Sequence, residues 1–127
     1  MRLSTFILVM AALSSTGCAT LGAYPGSVRG NPEVGYASFY ASRYHGRPTA
    51  SGKAYDERGF TAAHRTLPFG TRVRVTNLAN HRSVVVTVTD RGPFRRDRII
   101  DLSKRAASEL GSLRDGVMRV RVEIVSG

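Results

Sequence analysis

The sequence predicts a small, mainly β domain closed into a barrel, with one or two short helices. Three observations carry this. Residues 71–76 (TRVRVT) and 117–125 (VMRVRVEIV) alternate apolar and polar side chains with period two. Residues 83–89 (SVVVTVT) are β-branched almost throughout. Clear helix start and stop signals occur only after Ser103. At 127 residues the chain is expected to hold one compact domain and not a multidomain enzyme.

Taken in chain order, Met1-Arg2 is a short positive start and residues 3–13 (LSTFILVMAAL) form an apolar run. Small residues follow up to Gly17. This is the layout of a secretory signal peptide, too short to span a bilayer as a helix. Cys18, the single cysteine, sits where that run ends. The placement resembles the lipobox of bacterial lipoproteins, although Ser15 stands where that pattern usually has Leu. Residues 1–17 are therefore expected to be a signal peptide, and Cys18 a lipid anchor holding an exported protein to a membrane, with the outer membrane favoured. Residues 18–34, rich in Gly, Ala and Pro, read as a lipidated start and flexible tether, and residues 35–127 as the barrel domain.

Within the barrel, residues 35–41 (GYASFYA) read as a strand. Val73 and Val75 should face inward from the next, and residues 83–89 suit a strand covered on both faces. Ile99 to Leu102 is a short strand. Ser103 then caps a helix that runs through Leu110 and stops at Gly111. In the last strand Val120, Val122 and Ile124 should point inward, and Arg119, Arg121 and Glu123 outward.

Two stretches do not read as scaffold. Residues 50–70 (ASGKAYDERGFTAAHRTLPFG) form a long loop carrying Tyr55, Asp56, Thr61 and His64. Asp90-Arg91-Gly92-Pro93-Phe94 follows the most hydrophobic strand directly, which places a carboxylate at a barrel mouth. A single cysteine excludes an intramolecular disulfide, and the histidines at 45, 64 and 81 show no metal-ligand spacing. No metal and no cofactor is expected.

Residues 40–52 (YASRYHGRPTASG) and 61–71 (TAAHRTLPFGT), followed by 75–77 (VTN), 90–94 (DRGPF), 98–103 (RIIDLS) and the 106–111 helix end, resemble the rare lipoprotein A family in the same order. The similarity covers roughly residues 35–125. It implies a six-stranded double-psi β-barrel, shared with expansin-like and barwin-like domains. It also implies a bacterial envelope lipoprotein acting as a lytic transglycosylase on peptidoglycan glycan strands, preferentially those stripped of stem peptides, during separation of daughter cells. By the same resemblance Asp90 is the acid/base and His64 a partner that orients it or binds sugar. Lys53, Tyr55, Thr61, Arg91 and Phe94 are expected to contact substrate, with Tyr36, Tyr40 and Phe69 further candidates for stacking on sugar faces. Lys53 departs from the pattern, because active members carry Glu there, and an exposed ammonium is a poor acid at neutral pH. The alternative is accordingly a non-catalytic glycan-binding or wall-loosening barrel. A further departure is that no second, glycan-binding domain is expected after the barrel.

The net charge of +10 is almost all arginine, since only Lys53 and Lys104 are lysines, and Arg2 alone precedes Cys18. The charge thus belongs to the exported domain, expected to be monomeric. Nucleic acid is not an expected partner, because the chain is exported and lacks aromatic-basic interleaving. An anionic envelope is.

Overall fold

The computed structural model describes residues 29–127. The expected signal peptide, Cys18 and most of the expected tether lie outside the described residues. Six strands and one helix follow in sequence: β1 (Arg29–Phe39), β2 (Thr61–His64), β3 (Arg72–Asn77), β4 (Ser83–Asp90), β5 (Arg98–Leu102), α1 (Lys104–Glu109) and β6 (Met118–Ser126). The strands close into a barrel in the order β1-β5-β2-β4-β3-β6. The β1/β5 and β2/β4 pairs are parallel and the others antiparallel, so the chain crosses over the barrel between them.

The core is made by the inward residues that alternation picks out. Val73, Val75, Val86, Val88, Ile100, Leu102 and Val120 are almost wholly buried, and Leu110 from the end of α1 joins them. Ser103 caps α1 by accepting the Ala106 N–H at 3.2 Å, and Gly111 takes a positive φ just past the helix end. Leu102→Ala should cost about 2–5 kcal/mol of stability, read as a lowered urea midpoint with an unchanged slope.

Four details differ from the sequence expectation, each for a local reason. First, β1 reaches back to Arg29, into the stretch expected as tether, because Arg29 pairs with Ile124 and Glu33 with Val122 on β6; a register irregularity between them accommodates Gly30-Asn31-Pro32. Second, residues 50–70 are not one loop. Thr61–His64 forms β2 between β4 and β5, a strand hidden from a β-propensity reading because its buried residues are Ala62, Ala63 and His64. Third, β4 buries Val86 and Val88 while Val84, Val85 and Thr87 are half-buried, so its second face is only partly covered. Fourth, a bulge opposite Arg72/Val73 skips Val125, which is buried outside the main core cluster, while Ile124 packs against that core as expected but only half-buried.

Candidate functional site

A row of register-matched residues crosses four adjacent strands. Asp90 on β4 pairs with Ala63 on β2, Ala63 with Asp101 on β5, and Asp101 with Ser38 on β1. Matched residues on neighbouring strands project to the same face, so two carboxylates share it, with only a small side chain between them. Two strand spacings put their backbones about 10 Å apart. Ile100 and Leu102, both fully buried, flank Asp101 and turn it away from the core.

Both carboxylates open into a cleft of about 460 Å³, lined by Ser38, Tyr40, Tyr44, Arg91 and Phe94 among others. That size is ordinary for a small-ligand site. Asp90 accepts every hydrogen bond it makes. Its Oδ1 takes the Ala50 N–H at 2.8 Å and the Arg91 N–H at 2.9 Å, and its Oδ2 takes the Tyr40 hydroxyl. Burial, then the bond to Asp90, push the Tyr40 phenol well above its ordinary pKa, so it stays a donor. Gly92, at φ +127°, makes the turn that carries the chain from Asp90 to Phe94.

Asp101 differs from Asp90. Burial holds its carboxyl above the ordinary carboxylate pKa and the charge of Asp90 adds to this, while the Ser38 hydroxyl, Arg98 and Arg65 pull the other way. The cleft therefore holds one carboxylate fixed by three donors beside a second whose carboxyl is held above the ordinary carboxylate pKa. Aromatic rings rim the pair, and Phe94 is 90% exposed. Such rings suit the apolar faces of sugars.

Of the residues singled out by sequence, Asp90, Arg91 and Phe94 line this cleft, as does Tyr40. The others do not. Tyr55 is 4% exposed; its ring packs on Tyr40 at 4.7 Å and its hydroxyl accepts the Lys104 N–H, so it supports Tyr40 instead of meeting substrate. Thr61 lies within β2, where its carbonyl accepts the Ser103 N–H. Lys53 is exposed on the 48–54 turn, outside the cleft lining, although Ala50 of that turn reaches Asp90. Tyr36 is half-exposed on β1, and Phe69 lies under the Arg91 guanidinium at 4.1 Å.

His64 is buried and makes no hydrogen bond to Asp90. Its Nδ1 accepts the N–H groups of Thr66 and Leu67, both at 3.2 Å, which makes Nε2 the donor to Glu33 at 2.8 Å. The carbonyls of His64 and Leu67 in turn hold the Arg91 guanidinium. His64 thus shapes the turn that positions Arg91. His64→Ala leaves two backbone donors unpaired and should cost about 1–3 kcal/mol, measured by denaturant unfolding.

Sequence reasoning missed Asp101. The available signal was a carboxylate set between Ile100 and Leu102 in a short strand, which alternation directs outward.

The family model described as lytic transglycolase, a double-psi β-barrel domain, matches residues 33–122. The chain belongs to the RlpA-like lytic transglycolase family. Residues 33–122 include the whole cleft, and the closed six-stranded barrel is its double-psi fold. Among curated RlpA-like relatives, the endolytic peptidoglycan transglycosylase RlpA of Pasteurella multocida is 55% identical over 91 residues, 72% of this chain and 31% of that protein. That of Neisseria meningitidis is 53% identical over 96 residues, covering 75% and 40%. This RlpA-like chain therefore spans less than half the length of either. Among solved structures, the Streptomyces papain inhibitor matches with TM-score 0.62 and 26% identity over 76% of this chain and 96% of its own. A Clavibacter michiganensis expansin variant in complex with cellohexaose matches with TM-score 0.60 and 19% identity, covering 75% and 50%; at that identity the likeness is one of fold.

Proposed function

We propose that the cleft is the active site of a lytic transglycosylase that cuts peptidoglycan glycan strands between N-acetylmuramic acid and N-acetylglucosamine. The observation that carries this reading is the Asp101 carboxyl, aligned with Asp90 across Ala63 in an open, aromatic-rimmed cleft and held above the ordinary carboxylate pKa by burial and by Asp90. The family match and the RlpA relatives support the same substrate.

The reaction needs one group that acts twice. Asp101 gives its proton to the glycosidic oxygen as the C1–O bond breaks, releasing the N-acetylglucosamine hydroxyl. The resulting Asp101 carboxylate takes the proton of the muramyl C6 hydroxyl, whose oxygen closes on C1 to form a 1,6-anhydro ring. Asp101 ends protonated, as it began, and no water is consumed. Asp90, held by Tyr40 and two backbone N–H groups, supplies fixed negative charge beside the oxocarbenium-like transition state. Asp90 thus keeps a catalytic part, with the proton-transfer role moving to Asp101.

Lys53 favours a second reading, a barrel that binds glycan without cutting it. Incubating the protein with glycan strands freed of stem peptides separates the two. New 1,6-anhydromuramyl ends support the enzyme; strand binding with no new ends sinks it. Lipidation at Cys18, attachment to an envelope membrane and action in daughter-cell separation belong to the same proposal, resting on the leader-like residues 1–18 and the family.

A further inference from the structure

A second cavity of about 680 Å³ adjoins the carboxylate cleft and shares Arg91, Gly92 and Phe94 with it. Arg65, Pro93 and Arg96 complete its wall, so every ionisable residue lining it is an arginine. Two of the three are locked in place. Arg65 donates from Nε to the Pro93 carbonyl at 2.8 Å, and from Nη2 to the carbonyls of Arg95 and Arg98. Arg91 donates from Nη1 to His64 and Leu67 and lies over the Phe69 ring. Backbone carbonyls satisfy those donors without cancelling their charge. Of the nearby acids, Asp97 is engaged by Arg95 at 3.6 Å and Arg98 at 3.9 Å, while Asp90 and Asp101, the latter felt by Arg65, line the adjoining cleft and not this cavity. The exposed Arg96 side chain makes no hydrogen bond or ion pair with any described residue. A positive wall, two of its guanidiniums fixed and the third free, thus borders the carboxylate cleft.

Hydroxyl and N-acetyl groups of a glycan need no such charge, whereas the planar guanidinium fork matches a carboxylate. The muramyl sugar carries one substituent that fits, its 3-O-lactyl group. This is a free carboxylate when the stem peptide is absent and a neutral amide when it is present. Phe94, shared by both cavities, lies between the place of the sugar and the place of the anion. We infer that the pocket formed by Arg65, Arg91 and Arg96 is a subsite for the free lactyl carboxylate of a muramyl residue seated in the adjoining cleft. The inference rests on reading that cleft as the glycan-cutting site, and it makes the bare lactyl group a recognised feature of the substrate.

The test compares binding and end release for three sets of strands: denuded, denuded with lactyl carboxyls coupled to methylamine, and peptide-bearing. Denuded strands should bind roughly 10- to 100-fold tighter than coupled ones. Arg96→Gln should shrink that preference to threefold or less by the same scale, whereas Arg119→Gln, removing an exposed charge on β6, should preserve it. Equal binding of denuded and coupled strands overturns the inference. So does an equal loss of preference in Arg119→Gln, which would make the attraction diffuse. Tighter binding of peptide-bearing strands would move the carboxylate to the stem peptide and also overturn it. If denuded and coupled strands bind alike and are cut alike, the subsite fails and the cleavage reading stands. If the preference appears but no ends are released, the cleavage reading fails and the subsite stands.

Discussion

Asp101→Asn should lower the release of 1,6-anhydromuramyl ends by roughly 10²- to 10⁴-fold, the usual contribution of a general acid. The amide keeps the shape and still accepts the Ser38 hydroxyl, so the loss isolates the proton. The same substitution should not destabilise the barrel at neutral pH. Asp101 has a folded pKa above its unfolded value, so the stability linked to it is full below the unfolded pKa. That stability is lost as pH rises through the folded pKa, because ionisation is penalised by burial. Asparagine escapes this loss. Thermal unfolding should therefore show Asp101→Asn melting at or above wild type at pH 7, with the gap closing in acid. An inactive variant that melts well below wild type at pH 7 would point instead to a structural role.

The second large effect concerns Asp90. Asp90→Asn should reduce kcat/KM by roughly 10²-fold through loss of the fixed charge beside the transition state. It should also move the pH profile in a stated direction. Cleavage begins with protonated Asp101, so activity falls as pH rises through the Asp101 pKa. The Asp90 charge helps to hold that pKa up. Without it the alkaline limb should shift to lower pH, leaving a variant relatively more active in mild acid than at neutrality. An unchanged limb would uncouple the two carboxylates.

Most of the barrel was legible because alternation and burial coincide. Val73 and Val75 on β3, and Ile100 and Leu102 on β5, are inward where period two puts them, and Ser103 caps its helix. What escaped was set by contacts distant in sequence. Asp90 at the end of a buried strand could be read, but not its bonds to Tyr40 and Ala50, since these depend on how β1 and the 48–54 turn return to β4. Asp101 becomes a site residue only because β5 lies between β1 and β2, which aligns it with Ser38 and, across Ala63, with Asp90. Tyr55 and His64 carry polar groups often found in sites, yet both are buried and satisfied, by Lys104 and by Glu33 with the 66–67 backbone. Residue type alone does not distinguish a polar group that packs from one that reacts. The topology does.

The excess positive charge also gains a local meaning. Part of it lies on outward strand positions such as Arg72 and Arg119, where it suits general attraction to an anionic envelope. Another part is gathered in Arg65, Arg91 and Arg96 around a cavity next to the carboxylates.

The central claim is cleavage without water, with Asp101 as the proton carrier. The direct measurement is mass analysis of muramyl ends released from denuded strands in water enriched in heavy oxygen. The expected result is 1,6-anhydro ends that carry no heavy oxygen, formed by wild type and nearly absent with Asp101→Asn. Reducing ends that carry the heavy isotope, or undiminished release by Asp101→Asn, would contradict it.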